Sequence, residues 1–387
     1  MFKIAVKSYA LLFLLFFYVS SILKLNRLKF FNNIKKELWN DWKWQISNNL
    51  STLESINKIT NLIDSEKKGF DKSEFLSTSI TPYYSYHVNS KYLRKTIIPS
   101  HNEFIKSSDE MDDPLGEEDN RVTPYIIHTY PDKVLFLATT FCSTYCRYCT
   151  RARLVGKPTF NNSDFESSYN YIKKNHQIKD VLISGGDPLA MSDSSLEDIL
   201  LRLREISHIK LIRIGSKIPA VLPMRITDNL CKILKKYNVW LSLHFIHNDE
   251  LISETREACS KLSRFGIPMV SQTVLLKNIN DTHNQLAELF YNLVALNIKP
   301  YYLLQCDPIR GSKHFRTSIE KGINLIQSLH GTISGIAIPQ YIIDAPGGGG
   351  KVPILSKDQI RRDGNKIFFK NYQNKEYFYP DVNDSIN

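Results

Sequence analysis

Past residue 120 the chain alternates between two periodicities. Apolar or β-branched runs fall at Val134–Thr139, Asp180–Ser184, Lys210–Ile214, Val239–Phe245, Pro268–Leu275 and Lys299–Gln305. Between them lie segments with apolar residues at helical spacing, among them Ser194–Glu205, Thr227–Tyr237, Glu250–Phe265 and Asp281–Leu296. Acidic or hydroxyl residues stand near several helix starts, where a side-chain oxygen can accept from the first unpaired backbone N–H groups. Strands and helices in alternation, with short connections, predict parallel strands joined by right-handed crossovers. Six such units are too few to close an eight-stranded barrel, so the expected fold is α/β, a partial (β/α)6 barrel. A further strand at Ala337–Ile343 leads through Asp344 into a glycine tract. Functional side chains of such folds are expected at the C-terminal ends of the strands.

The texture before residue 120 is different. Residues 37–120 are polar and mixed, read as short helices and loops, and include the Trp-rich WNDWKWQ (Trp39–Gln45). The acidic, turn-forming DEMDDPLGEEDN (Asp109–Asn120) marks the expected boundary with a barrel over 121–345. Residues 346–387 then hold the glycine-rich loop and a tail. Residues 1–36 carry seven Lys or Arg and no acid, around an apolar run at Tyr9–Leu23. That run is short for a membrane span, which needs about 20 residues. A cleaved leader for delivery to a plastid-like organelle or mitochondrion is the expectation, with a retained anchor as the competing reading and a cytoplasmic chain otherwise. The leader accounts for most of the net charge of +11. No RNA-binding signature accompanies that charge, so nucleic acid is not an expected partner.

Three of the six cysteines crowd into Cys142-Ser-Thr-Tyr-Cys146-Arg-Tyr-Cys149, directly after the Val134–Thr139 run. A chain of 387 residues buries an ample core without disulfides, and the scattered Cys231, Cys259 and Cys306 read as small buried hydrophobes. One loop with these spacings can wrap a single iron–sulfur cluster. Three thiolates on a 4Fe–4S cluster leave one iron open to a ligand. Zinc is the rival, although structural zinc takes four protein ligands. A reducing compartment follows if the triplet binds iron. The second motif, Ser184-Gly-Gly-Asp-Pro-Leu189, follows another strand; its glycines let backbone approach a ligand and offer free N–H groups. The third, Asp344-Ala-Pro-Gly-Gly-Gly-Gly-Lys351, fails the phosphate-loop pattern because Ala345 and Val352 stand where Gly and Ser/Thr are required. It reads either as a flexible hinge or as a lysine with freedom to reach a carbonyl group.

The CxxxCxxC spacing, with Tyr148 before the last cysteine, resembles the radical S-adenosylmethionine (SAM) superfamily. The resemblance implies that SAM chelates the open iron and is cleaved reductively to a 5′-deoxyadenosyl radical, with Tyr148, Gly185, Gly186 and Asp187 beside it. A longer set, CRYCTRARLVG, SGGDPL, RIGSKIPAVLPMRI, HFRT and DAPGGGGK in order, together with WNDWKWQ, looks like the lysine 2,3-aminomutase family. That likeness implies a pyridoxal 5′-phosphate (PLP) cofactor joined to a catalytic Lys351, with Lys133 and Thr129 at its phosphate. It implies Arg151 on the substrate carboxylate, Asp307 and Asp344 on the distal ammonium, and His244 and Gln272 near SAM. The chemistry is coherent: an ammonium needs acceptor-only partners, and a carboxylate suits the two-pronged guanidinium. Two positions depart from the family pattern, Thr129 where an Arg is usual and Ile246 where relatives tend to carry Asn. The tail after Lys351 has no cysteine, so the zinc that some relatives hold there is not expected.

The function so implied is an isomerase interconverting L-lysine and L-β-lysine by 2,3-amino migration. Its expected partners are the amino acid, a reductant protein for the cluster, and further copies of the chain. The alternatives are an aminomutase for another amino acid or for protein modification, a catalytically idle iron–sulfur protein, and a membrane-anchored binding protein.

Overall fold

The computed structural model describes residues 30–380 except 32, 71–75, 106, 158–164, 355–359, 364–365, 371–372 and 374. The leader expectation, including Tyr9–Leu23, therefore lies outside the described residues. Among those described, no helix is long and apolar enough to cross a membrane.

Ten strands form one sheet in chain order: β1 (Arg121–Thr123), β2 (Ile126–Tyr130), β3 (Lys133–Thr139), β4 (Asp180–Gly185), β5 (Leu211–Ser216), β6 (Val239–His244), β7 (Met269–Leu275), β8 (Ile298–Gln305), β9 (Gln340–Ala345) and β10 (Gly350–Pro353). Strands β3 to β9 pair in parallel, and antiparallel strands flank both edges. Six helices make the crossovers: Phe165–Lys174, Asp193–Arg204, Asp228–Lys236, Ser253–Arg264, His283–Ala295 and Ile319–Leu329. This is the partial barrel expected, six βα units and a seventh parallel strand. The side chains of Ser192, Thr227 and Ser318 accept the backbone N–H three residues on and so begin three of these helices.

Period-two alternation explains both the core and the hole within it. Val181, Ile183, Ile212, Ile214, Val239, Leu241 and Leu243 are buried in the main hydrophobic cluster, where each contributes about 1.5–3 kcal/mol. Their neighbours Leu182, Ser184, Arg213, Gly215, His244 and Gln272 line internal cavities. One side of the sheet is thus packed by helices, and the other is left for polar groups and ligands.

Three differences from the expected elements have local causes. The helix expected from Glu250 begins at Ser253, because Asn248–Glu250 is a separate 3-10 turn. The seventh strand starts at Gln340 because Gly335–Ala337 forms another such turn. The tail adds a small antiparallel sheet of β11 (Ile360–Asp363), β12 (Lys366–Lys370) and β13 (Glu376–Pro380).

The sheet does not close by strand pairing. Its edges meet where the Tyr130 hydroxyl on β2 accepts the Lys351 backbone N–H of β10 at 2.6 Å. Gly350 takes a left-handed φ of +75 close beside this bond, where a Cβ would stand 2.9 Å from the Tyr130 oxygen. The segment before β1 covers the same seam. Gly347 donates its N–H to the Pro114 carbonyl at 2.9 Å, and a Cβ on Gly116 would stand 2.8 Å from the Gly348 nitrogen.

Candidate active site

The cysteine loop is held from outside the barrel. Tyr145 and Arg147 donate their backbone N–H groups to Ser79 and Thr96, and Asn49 donates to the Ser143 carbonyl at 2.8 Å. Arg147, 3% exposed, forms a two-pronged pair with buried Glu103 and donates to the carbonyls of Ser77 and Leu76. The Trp-rich segment packs on the neighbouring turn after β4, with Trp42 at 4.8 Å from the guanidinium of fully buried Arg225, which donates to the Leu189 and Met191 carbonyls.

Cys142, Cys146 and Cys149 line one cavity of about 210 Å³. Burial pushes the Cys149 thiol up to about 12 and raises Cys142 well above the ordinary range and Cys146 above it. Neighbouring thiols add to the rise at Cys142 and Cys149. Protein groups alone therefore do not favour three thiolates here, whereas a bound metal centre stabilises them directly. Among the described residues, no three His, Cys, Asp or Glu are grouped to hold a single metal ion. The set suits a cluster whose irons are each taken by a separate cysteine. Burial raises the Tyr148 phenol well above its ordinary range, and neighbouring Cys146 adds to the rise.

Gly185, Gly186 and Asp187 line the same cavity, but not through the free N–H groups expected. Gly186 and Asp187 donate theirs to the carbonyls of Thr139 and Phe141. A Cβ on either glycine would lie 2.2 Å from one of those oxygens, so the glycines let the β4 turn pack onto the root of the cysteine loop. Asp187, raised to about 6 by burial, accepts from the backbone of Leu189 at 3.2 Å and Lys217 at 2.8 Å. It braces two strand-end loops. His244 is pushed down to about 4 by burial and nearby Lys217, Arg151 and Lys351, so its imidazole is neutral at pH 7. Gln272 donates to Ser242 at 2.7 Å and faces the cavity beside it.

A second cavity of about 500 Å³ runs down the inside of the barrel. The two share the wall formed by Arg151, Ser184, His244, Gln272, Asp344 and Lys351. Lys351 pairs with Asp344 across the β9–β10 hairpin, where the two residues are register partners. Asp307, at the end of β8, lines the first cavity and accepts from the Thr150 hydroxyl at 2.6 Å. Burial raises its carboxyl to about 6, and Asp344 adds to the rise. Arg151 completes the wall, held by Glu117 at 2.6 Å and donating to Ser184 at 3.3 Å.

Thr129 and Lys133 line the lower part of the second cavity, beside Tyr130 and Arg213. Lys133 lies over the Tyr130 ring at 4.2 Å, and Arg213 pairs with Asp180 at 2.7 Å. Lys133 and Arg213 sit at or near the starts of parallel strands β3 and β5, and Thr129 and Tyr130 at the end of antiparallel β2, so the site is not confined to the C-terminal ends of the parallel strands. Cavity, cations and a nearby lysine fit a phosphorylated carbonyl cofactor.

A sequence model described as the radical SAM superfamily matches residues 136–290, and one described as lysine-2,3-aminomutase matches residues 326–387. The L-lysine 2,3-aminomutase of Fusobacterium nucleatum is 42% identical over 90% of this chain and 84% of its own length. The chain belongs to the lysine 2,3-aminomutase family. The L-lysine 2,3-aminomutase of Clostridium subterminale is 40% identical over 90% of this chain and 85% of its own. The glutamate 2,3-aminomutase of Clostridioides difficile is 36% identical over 89% and 83%. As a radical SAM member of the aminomutase family, the chain is an isomerase with a 4Fe–4S cluster and SAM, acting on a small-molecule amino-acid substrate.

Every site residue expected from the sequence lines one or both cavities of this aminomutase. Sequence reasoning missed Glu117, Tyr130, Arg213 and Lys217. Glu117 lay inside a stretch read only as an acidic turn. Arg213 and Lys217 were within the RIGSKIPAVLPMRI match, and strand alternation could have turned Arg213 inward.

Proposed function

We propose that this enzyme moves the α-amino group of L-lysine to C3, giving L-β-lysine. The observation that carries this reading is the shared wall, where Arg151, Asp344 and Lys351 meet and Asp307 adds a second carboxylate. One guanidinium and two carboxylates match a substrate with a carboxylate at one end and an extra ammonium at the other. A glutamate side chain would bring a third carboxylate to this acidic pair, which argues against an anionic substrate.

Cys142, Cys146 and Cys149 are the cluster ligands in this reading, with Tyr148, Gly185, Gly186, Asp187, His244 and Gln272 lining the SAM site. Lys351 is the attachment point for PLP, and Lys133, Thr129 and Arg213 face its phosphate. When bound, SAM on the cluster supplies the radical that takes a hydrogen from C3, and PLP supplies a carbonyl for the amine and a π-system to spread the unpaired electron. Arg151 holds the carboxylate, while Asp307 and Asp344 hold the distal ammonium and fix C2 and C3 in the barrel. Asp344 keeps the Lys351 ammonium in place until that amine is needed, and neutral His244 adds no positive charge at the reacting end. A reductant protein and a second copy of the chain complete the expected partners.

The test is an anaerobic product analysis with reconstituted protein, SAM, PLP and a reductant, offering lysine, arginine and glutamate side by side. β-Lysine from lysine alone is expected; unchanged lysine refutes the reading. Loss of the protein-bound PLP absorbance in Lys351→Ala separates an enzyme from an idle iron–sulfur protein.

A further inference from the structure

Arg151 does not face the cavity unaided. Its Nε donates to Glu117 Oε1 at 2.8 Å, and its Nη2 meets the same oxygen at 2.6 Å. The remaining nitrogen, Nη1, points to Ser184 on the cavity wall. Glu117 is 3% exposed, and its other oxygen lies 3.2 Å from Arg153 Nη2, which also meets Asp113 and Glu118. The arginines hold the Glu117 carboxyl below its ordinary range, against the effect of burial.

The segment carrying Glu117 is itself fixed at the seam of the barrel. Gly116 adopts φ +57 against the backbone of Gly347 and Gly348, and its carbonyl accepts from Asn120 at 2.9 Å. Glu117 is thereby tied to the same glycine tract that carries Lys351.

We propose that Glu117 is a positioning residue for substrate recognition, turning Arg151 so that its Nη1 edge alone is offered to the substrate carboxylate. The proposal rests on Arg151 being the carboxylate anchor of the function above. Two effects of Glu117 oppose one another. Its charge offsets that of Arg151, which weakens attraction for a carboxylate; its two hydrogen bonds fix the guanidinium plane, which strengthens a geometry-dependent bond. The rigid setting of Gly116 and Glu117 favours the second.

The experiment compares L-lysine with 1,5-diaminopentane, which keeps both amines and lacks the carboxylate, in reconstituted holoenzyme. For Glu117→Ala we expect KM for lysine to rise about tenfold or more, with kcat falling far less. The inhibition constant of the diamine should stay within about twofold, because it never meets Arg151. Glu117→Gln should fall between, since its amide oxygen still accepts from Nε. A lower lysine KM in either variant would show Glu117 to be a competitor of the substrate and overturn the proposal. So would parallel weakening of lysine and diamine, the mark of general damage. Where Glu117→Ala does not fold with wild-type iron and PLP content, Glu117→Gln decides alone. Failure of the wild type to act on lysine is a separate result, and it would overturn the functional reading along with this one.

Discussion

Replacing Arg147 by methionine removes a buried cation that joins the segment before β1 to the cysteine loop without touching iron. Its partner Glu103 is 7% exposed and would be left charged in a dry site. Breaking a buried pair from one side costs about 3–5 kcal/mol. The carbonyl of buried Leu76 loses a donor as well, at roughly 1 kcal/mol or more, whereas that of exposed Ser77 can turn to water. The sum is a large part of the ~5–15 kcal/mol that stabilises a typical domain. Urea unfolding of iron-free, reduced protein should therefore show a loss of at least ~3 kcal/mol for Arg147→Met, and reconstituted protein should hold less iron although all three cysteines remain. Glu103→Leu should be similarly damaging alone. The double variant should recover part of the loss, because an apolar pair leaves no unpaired charge, giving a coupling of about 2 kcal/mol or more. Single losses below ~1 kcal/mol, or losses that simply add, would refute the claim that this pair holds the loop.

Asp307 gives a pH signature of known sign. Burial raises its carboxyl to about 6 from an ordinary 3.8, so the folded chain holds this proton more tightly than the unfolded one. Its contribution to stability is fullest below about pH 4 and is lost as pH rises through about 6; Asp307→Asn should flatten thermal-unfolding curves across that window. Lysine binding runs the other way, and KM should climb as pH falls below about 6, because the ammonium then loses a carboxylate. Thr129→Arg should return a cation to the lower cavity and tighten PLP about fivefold or more, read as the PLP concentration that half-saturates its protein-bound absorbance.

Much of the barrel was legible because its strands are packed by helices on one side. That constraint writes β-branched residues such as Val181, Ile183, Ile212 and Ile214 into the sequence at alternate positions. The cysteine triplet and the DAPGGGGK lysine stood out because their spacing or glycine content is unusual in an ordinary loop. The supports of the site were far less visible. Glu103 and Glu117 sit in polar stretches indistinguishable from solvated turns, and only burial opposite Arg147 and Arg151 gives them meaning. The glycines of SGGDPL were legible as a place of close backbone approach, but what they approach was not, since Thr139 and Phe141 come from an earlier strand end.

The hydrogen bond from Lys351 to Tyr130 spans 221 positions of sequence. Closing such a long loop is among the slower events of folding, since its entropy is lost before the contact repays it. Synthesis runs from the N-terminus, so the cysteine loop and the helices that grip it emerge well before the last strands. The two halves of the proposed catalytic centre thus come into being at different times, the three cysteines early and Lys351 last. Under the function proposed above, uptake of PLP on Lys351 would be a chemical timestamp, recording that the sheet has curled round on itself and its edges have met.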